Sequence, residues 1–543
     1  MVLMNRIVKI SLIVIILNIY HLLNIRGQST QTSTYCNPIN IDYTYSIYNA
    51  NENISYRSGA DPAVVKFRNE YYMFVTRSMG YWHSTDLLHW SFITPEKWYF
   101  QGSNAPAAHN YNDSVLYVTG DPSGSMSILY TDNPKKGDWK AIPLIINDLQ
   151  DPDLFIDGDD ENNHGWERFG ENHGDTVLAG YIEGPWLTKY NNMYYMQYAA
   201  PGTEFNVYGD GVYMSDSPLG PYRYAPNNPI SYKPGGFMNG AGHGSTVIGP
   251  NNTYWHFASM AVSINVNWER RICMFPTYFD RDGLMYTNTY FGDYPHYAPA
   301  IAGKMGEFTR WMLISYKKSV KASSYYDKYK PENIVDENVK TFWVAEKNDD
   351  KQWVEIDLLN LATVYAVQIN YHDYKSNIYG KVQQLYHRYF IEGSMDGKIW
   401  SILVDRINDY KDVPNDYVEL DFPQIVRYIR YKNIHVPMSK LSISDLRIFG
   451  RGYGQIPAKV KNLVVNRYKD RRDAMITWDQ QENSIGYNIV WGISPDKMYN
   501  SWMVYEKHFL ELKSLTVDQS YYFSIEAFNE NGISERTVIV KSE

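Results

Sequence analysis

A short unit recurs along the first half of the chain and limits the folds open to it. Each copy has a small or acidic turn, a hydrophobic strand, a polar tight turn and a second strand that carries aromatic residues. The copies are DPAVVKFRNEYYMFV from Asp61, APAAHNYNDSVLYVT from Ala105, DPDLFIDGDD from Asp151, EGPWLTKYNNMYYMQY from Glu183 and GHGSTVIGPNNTYWHFA from Gly242. Their spacing of roughly 30 to 60 residues, with two to four short strands in each copy, is typical of β-propeller blades.

The amino-acid composition favours a β-strand-rich fold and excludes some classes of ligand. Tyrosine contributes 50 residues and aromatic residues make up 16% of the chain, which suits strands and stacking on sugar faces. The net charge is −9 and the 51 basic residues form no long run, so neither nucleic-acid binding nor a polybasic membrane surface is indicated. The two cysteines, Cys36 and Cys273, exclude a disulfide-dense scaffold and a cysteine metal cluster, and the sequence leaves open whether they pair.

The second half of the chain changes in composition. From about Ser315, alternating strands and turn residues predict a β-sandwich, and the stretch GRGYGQIP, residues 450–457, has the composition of a linker. The last 85 or so residues hold a buried-tryptophan strand and a late Tyr-x-Phe-x-Ile strand, which fit a seven-strand sandwich. We therefore predict three domains, over residues 33–312, 313–452 and 456–543.

The N-terminus has the pattern of an export signal. Basic residues precede the apolar run ISLIVIILNIYHLL, residues 10–23, which has the length of a signal-peptide core and is short for a membrane span. We therefore expect residues 1–27 to be removed, and the mature chain to be exported to the periplasm or the outside without a transmembrane span. An uncleaved anchor is the alternative.

Four motifs occur in the order in which a known family carries them: the Asp-Pro of GADPAVV, the Asp-Pro of DPDLF, the Glu-Gly-Pro of IEGPWL, and GHGST. With these motifs the first domain resembles the five-bladed propeller of glycoside hydrolase family 43. The second domain resembles a discoidin (F5/8 type C) domain, and the third resembles a fibronectin type III domain. The resemblance covers nearly all of the mature chain and implies an all-β fold, a five-bladed β-propeller followed by two β-sandwich domains.

The resemblance gives roles to three carboxylates. Asp61 matches the general base, Asp151 the carboxylate that orients the acid and raises its pKa, and Glu183 the general acid. An inverting glycosidase needs a proton donor and a second carboxylate about 6.5 to 9.5 Å away, with room for the attacking water. Blade starts lie on inner strands, so we expect the three side chains to converge near the axis, with Asp151 keeping Glu183 protonated by like-charge repulsion. The Gly-Pro turn should fix the direction of Glu183.

Five further residues are candidate substrate contacts. His243 matches the axial histidine of the family, which often helps to hold a central cation or water. Glu204 and Tyr208 offer hydrogen bonds to sugar hydroxyls, and Trp82 and Trp186 offer faces for stacking. For each of them the alternative is an ordinary core or turn residue.

The second domain carries a candidate calcium site. The stretch NIVDENVKTFW and an aspartate near the last strand resemble the loop and the acid that bind a structural Ca²⁺ in discoidin domains. The implied ligands are Asp336, Thr341 and Asp445 together with backbone carbonyls, and such oxygen ligands suit Ca²⁺. A plain polar turn is the alternative. No cofactor is expected for the chemistry itself.

These observations predict an exported glycosidase that cleaves a polysaccharide or oligosaccharide with inversion. By the resemblance it is β-xylosidase- or α-L-arabinofuranosidase-like, and galactosidases are among the family's branches. The alternative is a catalytically inactive glycan-binding protein, and only 31 residues between Asp151 and Glu183, room for about two strands, favour it. A structural adhesion protein is a weaker third hypothesis, because it leaves the carboxylates at blade starts unexplained.

Overall fold

The computed structural model describes residues 33–96, 104–121, 127–143, 164–168, 181–261, 266 and 268–542. Asp151 and the predicted signal peptide, residues 1–27, lie outside these ranges. The described residues form strands, turns and four short 3-10 helices, which are Pro134–Lys136, Gly165–Glu167, Pro250–Asn252 and Pro331–Val335. The predicted all-β fold class is therefore confirmed. No helix in the described part of the chain is long and apolar enough to cross a membrane.

The chain begins with a short strand and a hairpin. Strand β1 (Thr34–Tyr35) pairs with His296–Tyr297, far along the chain. Strands β2 (Thr44–Asn49) and β3 (Ile54–Ser58) then pair antiparallel, and we call residues 44–58 the N-terminal hairpin.

Four antiparallel sheets of consecutive strands follow in the described residues. The first has strands β4 (Ala63–Phe67), β5 (Glu70–Phe74), β6 (Tyr81–Ser84) and β7 (Ser91–Ile93). The second has β8 (Asn104–Tyr111), β9 (Val115–Asp121), β10 (Ser127–Thr131) and β11 (Lys140–Pro143). The third has β12 (Glu183–Tyr190), β13 (Met193–Ala200), β14 (Gly209–Ser215), β15 (Arg223–Tyr224) and β16 (Ser231–Tyr232). The fourth has β17 (Asn239–Ile248), β18 (Tyr254–Ala261), β19 (Arg270–Phe279) and β20 (Met285–Thr287).

Polar residues with left-handed backbone form the tight turns within these sheets. Arg68 and Asn69, between β4 and β5, have φ values of 51° and 62°. Asn191 and Asn192, between β12 and β13, have φ values of 45° and 63°. Two-residue turns of this kind match the right-handed twist of the strands they join, and asparagine tolerates the positive φ. In these two repeats the predicted polar turn is thus the connection between the first two strands.

The first strand of each sheet lies beside the first strand of a neighbouring sheet. Strand β4 contacts β8 on one side and β17 on the other, and β17 also contacts β12. The four sheets are therefore arranged as blades whose inner strands face each other, as in a propeller. The fifth predicted copy, which starts at Asp151, falls outside the described residues.

The second domain is a β-sandwich built around two long strands. After β21 (His296–Tyr297) its strands are β22 (Met312–Leu313), β23 (Ser319–Ala322), β24 (Trp343–Val344), β25 (Trp353–Tyr371), β26 (Arg388–Ser394), β27 (Ser401–Asp405), β28 (Asn415–His435) and β29 (Ser442–Gly452). Strand β25 pairs with both β28 and β29 and shifts register along each pairing. Bulges of this kind bend a strand, and the core of the domain, with Trp343 and Ile429, is fully buried.

The third domain is a second β-sandwich. Its strands are β30 (Val464–Arg467), β31 (Ala474–Thr477), β32 (Gly486–Gly492), β33 (Asn500–Tyr505), β34 (Phe509–Leu512), β35 (Tyr521–Asn529), β36 (Gly532–Ile533) and β37 (Val540–Ser542). One sheet has the order β30-β31-β34, and the other has β33-β32-β35-β36 with β37 on β35. The core between them holds Trp491 and Phe523, and Tyr232 of the third blade packs into the same cluster.

The three domains share a buried cluster, which we call the three-domain junction. It contains Cys36 and Phe291 of the first domain, Phe449 of the second and Phe528 of the third. Residues Thr34–Glu543 accordingly form one unit, and the predicted domain boundaries stay a prediction.

A buried ion pair borders this junction. The fully buried Arg447 donates to both carboxylate oxygens of Glu337, at 2.8 and 3.0 Å, and to the carbonyl of Asp293 at 2.6 Å. Three hydrogen bonds of this kind satisfy a charge that would be costly to bury unpaired.

The two cysteines are both buried and do not form a disulfide. The thiol of Cys36 donates to the carbonyl of Asp293 at 3.2 Å, and that of Cys273 to the carbonyl of Ala258 at 3.2 Å. Burial raises the pKa of both thiols. The pairing that the sequence left open is therefore absent.

Candidate active site

A cavity of about 500 Å³ lies among the N-terminal hairpin and the inner strands of the blades. Asp61, just before β4, and Glu183, at the start of β12, both line it. His243 of β17 and Arg270 of β19 also line it. Two of the three predicted catalytic carboxylates are thus brought together, and the third, Asp151, lies outside the described residues.

Asp61 is held firmly and kept ionised. Its backbone N–H donates to Ser259 at 2.8 Å, and the Thr76 hydroxyl donates to Oδ2 at 2.5 Å. Arg270 lies 3.3 Å from Oδ1. Burial raises the pKa of Asp61, but Arg270, His243 and the Thr76 hydrogen bond outweigh it, so this pKa lies below its usual range. An ionised carboxylate is what a general base requires.

Asp61 also has a backbone conformation uncommon for a residue with a side chain. Its φ is 53°, in the left-handed region that aspartate visits more readily than most residues. Non-glycine residues held there tend to cluster at functional sites. The Asp-Pro motif therefore places this carboxylate through a special turn at the start of the blade.

Glu183 accepts hydrogen bonds from two tyrosines. Tyr208 donates to Oε1 at 2.5 Å, and Tyr181 donates to Oε2 at 3.1 Å. Burial raises the pKa of Glu183, but hydrogen bonds with His243 and Tyr208 and the charge of His243 outweigh burial and the charge of Asp61. The pKa of Glu183 is therefore lowered. The sequence-based prediction assigned a raised pKa to the charge of Asp151, which lies outside the described residues, so that role of Asp151 stays a prediction.

The Gly-Pro turn has a physical role next to Glu183. Gly184 has a φ of 61°, and a Cβ atom added to it would lie 2.5 Å from the His243 ring. The pairing of β12 with β13 also shifts register between Glu183 and Trp186. Only glycine fits this close approach with that backbone, so the turn brings Glu183 and His243 into the same site.

His243 is close to both carboxylates. Its Nδ1 is 3.5 Å from Asp61 Oδ1 and 3.9 Å from Glu183 Oε1. The sum of these distances limits the separation of the two oxygens to at most about 7.4 Å. Of the range of about 6.5 to 9.5 Å that is typical of inverting glycosidases, this limit therefore allows only the lower part.

Asp210 fixes the backbone position of His243. The backbone N–H groups of His243 and Gly244 donate to the two carboxylate oxygens of Asp210, at 2.7 and 2.9 Å. Asp210 also lies 2.9 Å from Nε2 of the fully buried His256. A buried network of this kind holds in place the backbone that carries the His243 ring.

The predicted sugar contacts have different outcomes. Glu204 lines the cavity, whereas Tyr208 is buried and contacts Glu183. Trp82 is fully buried and donates to Asp42 Oδ1 at 2.7 Å, so the prediction that it stacks on sugar is wrong. Trp186 does not line the cavity and packs against the buried cluster of the first two blades. Both tryptophans pack between strands. The sequence pattern did not distinguish buried tryptophans from exposed ones.

Several residues that line the cavity could not be identified from the sequence. Arg270, the partner of Asp61, lies 209 residues away along the chain. Trp268, 54% exposed, lines the cavity, and the Arg270 guanidinium lies 5.5 Å from its ring centre. Trp268 therefore presents an exposed aromatic face to the cavity, which Trp82 does not.

The candidate calcium ligands lie on one loop and one strand of the second domain. The Thr341 hydroxyl donates to Asp336 Oδ2 at 2.7 Å. Among the described residues, neither carboxylate oxygen of the fully buried Asp445 has a hydrogen-bond partner. Burial, followed by the charges of Glu337 and Asp336, raises the pKa of Asp445. A bound cation would satisfy this carboxylate, so the residues fit the expected ion.

The same region sets a limit on what such a site contains. Among the described residues, no group of three or more His, Cys, Asp or Glu side chains is placed to hold a metal ion. The remaining ligands of a cation would have to be hydroxyl and backbone carbonyl oxygens, which Ca²⁺ accepts.

Two family models match the chain. Residues 170–285 match the model of glycosyl hydrolases family 43, and residues 319–442 match the F5/8 type C domain. The first match includes Glu183 and His243, and the second includes Asp336 and Thr341. The chain thus contains a family 43 glycosyl hydrolase region and an F5/8 type C domain.

Curated relatives are also similar to the chain. A non-reducing end alpha-L-arabinofuranosidase of Bacteroides ovatus is 26% identical over 268 residues, which is 41% of this chain and 50% of the relative. A beta-D-galactofuranosidase of Aspergillus niger is 26% identical over 219 residues, 31% of this chain and 64% of the relative. The chain therefore spans half of the first relative and less than two thirds of the second.

Among solved structures, a glycoside hydrolase is 20% identical with a TM-score of 0.38, covering 75% of this chain and 99% of that chain. A thermostable family-43 glycoside hydrolase is 19% identical with a TM-score of 0.36, covering 49% of this chain and 99% of that chain.

Proposed function

We propose that the protein is a glycoside hydrolase that cleaves glycosidic bonds with inversion. The observation that carries this proposal is that Asp61 and Glu183 line one cavity, each with a carboxylate oxygen within 4.0 Å of His243 Nδ1. Two carboxylates with a space between them are the minimum that an inverting mechanism needs. The match to glycosyl hydrolases family 43 over residues 170–285 supports the proposal.

In this mechanism the ionised Asp61 takes a proton from water as that water attacks the anomeric carbon. Glu183 gives its proton to the leaving glycosidic oxygen, so the glycosidic bond breaks as the new carbon–oxygen bond forms on the opposite face. Arg270 keeps Asp61 ionised. His243 is close to both carboxylates and helps to set their positions. Asp151 is proposed to orient Glu183, on the resemblance alone.

We propose a polysaccharide or oligosaccharide substrate with α-L-arabinofuranosyl or β-D-xylosyl groups, and galactofuranosyl groups as the second choice. The names of the two curated relatives support furanosides. The exposed ring of Trp268 supports a sugar as the ligand, because aromatic faces pack against the apolar face of sugar rings.

The test is a hydrolysis screen on aryl glycosides and oligosaccharides of these sugars, with the anomer of the first-formed product followed by NMR. Inversion supports the proposal, and retention contradicts the assigned roles of Asp61 and Glu183. Binding without hydrolysis of any of these sugars would replace the enzyme by the glycan-binding alternative.

The lowered pKa of Glu183 predicts the pH dependence. The active form needs Asp61 deprotonated and Glu183 protonated, so kcat/KM should fall as the pH rises through the pKa of Glu183. Because hydrogen bonds with His243 and Tyr208 lower that pKa, the optimum should be acidic. The variant Tyr208→Phe loses a hydrogen bond to the charged form, so the alkaline limb should move to higher pH.

The control for this prediction is Tyr56→Phe. Tyr56 also lines the cavity, but none of the hydrogen bonds to Glu183 described above comes from it. The alkaline limb of the pH profile of Tyr56→Phe should lie at the same pH as that of the parent. If the alkaline limb of Tyr208→Phe also stays at the pH of the parent, the prediction is contradicted.

We propose that Asp336, Thr341 and Asp445 hold a structural Ca²⁺ in the F5/8 type C domain. A ligand that binds only the folded state stabilises it, by about 2.7 kcal/mol at a hundredfold excess over the dissociation constant. The melting temperature should therefore rise with millimolar Ca²⁺ and fall with chelator. The variant Asp445→Asn should lose this response, whereas a parent that does not respond would exclude the site.

Two further assignments are proposals. The third domain is proposed to be of the fibronectin type III class, supported by its three-stranded sheet facing a larger sheet. The protein is proposed to be exported, supported by the apolar run at residues 10–23.

A further inference from the structure

The N-terminal hairpin carries a fully buried arginine that contacts the F5/8 type C domain. Arg57 Nε donates to Asp373 Oδ2 at 2.7 Å, and its two terminal nitrogens donate to the carboxylate of Asp412 at 2.5 and 2.9 Å. Its guanidinium also lies 4.5 Å from the ring centre of Tyr45. Neither carboxylate belongs to the propeller, so this pair joins the hairpin to the second domain.

Backbone hydrogen bonds extend this connection along both strands of the hairpin. Tyr45 and Gly380 exchange backbone hydrogen bonds at 3.0 and 2.9 Å, as paired residues of a sheet do. The backbone N–H of Ser55 donates to the carbonyl of Ser376 at 2.8 Å. The loop of residues 373–381 is thus bonded to the hairpin at several points.

The opposite face of the hairpin lines the active-site cavity. Tyr45 pairs across the strands with Arg57, and the next pair is Ser46 with Tyr56. Successive residues of a strand point to opposite faces, and Ser46 and Tyr56 line the cavity. One face of the hairpin therefore meets the F5/8 type C domain and the other meets the proposed substrate.

The hairpin also supports the aromatic platform of the site. The Ser58 hydroxyl donates to the carbonyl of Trp268 at 2.8 Å. On the same strand, the carbonyl of Arg57 accepts a hydrogen bond from Arg271 at 2.8 Å. A shift of the hairpin would thus move Ser46, Tyr56 and Trp268 together.

We propose that the F5/8 type C domain is a fixed support of the active site, and that Arg57 is the positioning residue through which it sets the substrate-binding wall. Asp412 and the loop of residues 373–381 hold the hairpin, and the hairpin presents its cavity face to the sugar. The inference rests on the proposed function, because it takes the cavity to be the substrate site. It gives the second domain a role in substrate affinity that does not require a sugar site within that domain.

The experiment compares Arg57→Lys with Arg430→Lys in the full chain. Lysine keeps the charge but cannot bond both carboxylates in the planar geometry of arginine. Arg430 is the matched control, since its guanidinium donates to Glu355 within the same domain at 3.0 and 2.6 Å. Arg57→Lys should raise KM by about tenfold with kcat nearly unchanged, because it removes binding shared by ground and transition states. Arg430→Lys should leave both values at those of the parent.

Hydrogen exchange tests the support separately from activity. Amides of residues 44–58 should exchange faster in Arg57→Lys, while those of β4 and β5 should not change. Where Arg57→Lys does not fold, Tyr379→Phe replaces it, because the exposed Tyr379 donates a hydrogen bond to Asn53 at the hairpin tip. That variant should give a smaller change of the same kind.

The outcomes separate this inference from the proposed function. Unchanged exchange in the hairpin, or faster exchange with an unchanged KM, would overturn the inference while the protein remains a glycosidase. If the parent hydrolyses nothing, the proposed function fails, and the dissociation constant of an arabinose-substituted xylo-oligosaccharide replaces KM. An Arg57→Lys variant that binds this probe as the parent does, or a parent that does not bind it, overturns the inference as well.

Discussion

Replacing Glu183 by glutamine is expected to slow hydrolysis of a sugar-linked or alkyl glycoside by about 10²- to 10⁴-fold, while largely sparing the nitrophenyl glycoside of the same sugar. A general acid acts by protonating the departing oxygen, and nitrophenolate departs without that help. Glutamine keeps the size of the side chain and can still accept the hydrogen bond that Tyr208 donates at 2.5 Å. Rates on both substrates at the pH optimum of the parent provide the measurement.

The matched control is Glu204→Gln, which makes the same chemical change in the same cavity. It should change the rates on the two substrates by a common factor, because the proposed mechanism assigns no proton transfer to Glu204. If Glu183→Gln slows both substrates equally, Glu183 is not the acid, and its place beside Gly184 serves only the turn.

Asp61→Asn should behave differently, because the base acts on the attacking water. Both substrates should lose about 10²- to 10⁴-fold in rate, whatever the leaving group. Asparagine can keep the hydrogen bond from Thr76 but loses the charge that Arg270 faces at 3.3 Å. Steady-state rates on the same two glycosides decide this, with thermal unfolding to check that the variant folds.

The pattern of loss in Asp61→Asn is as informative as its size. A variant that keeps most of its activity on the nitrophenyl glycoside would show that Asp61 does not activate water. The remaining function of Asp61 would then be to anchor Arg270 at the cavity wall.

The sequence predicted the parts of the fold that depend on local chemistry. Short stretches of sequence predict polar two-residue turns, such as Asn191 and Asn192, and the aromatic strands beside them. These elements depend on neighbouring residues along the chain. The ordered motifs also placed Asp61 and Glu183 at blade starts, and the structure brings both to one cavity. These predictions needed only residues that are close along the chain.

Features that depend on distant partners could not be predicted. The pKa of Glu183 is lowered partly by Tyr208. Tyr208 precedes β14, which is joined to β12 only through β13, and no spacing in the sequence encodes that contact. Trp82 and Trp268 look alike in the sequence, yet one is buried and the other is 54% exposed. The N-terminal hairpin was not predicted as a wall of the site, because its supporting partner Asp412 lies 355 residues from Arg57.

The three-domain junction bears on how such a chain can change in evolution or in the laboratory. Domains joined by flexible linkers can be exchanged as cassettes, because each keeps its own surface. Here Arg447 of the second domain donates at 2.6 Å to the carbonyl of Asp293 in the first domain, and Phe528 of the third domain packs into the buried cluster at the junction. A graft of the propeller onto another accessory domain would have to supply a matching face for Cys36 and Phe291, so these domains are expected to be inherited together.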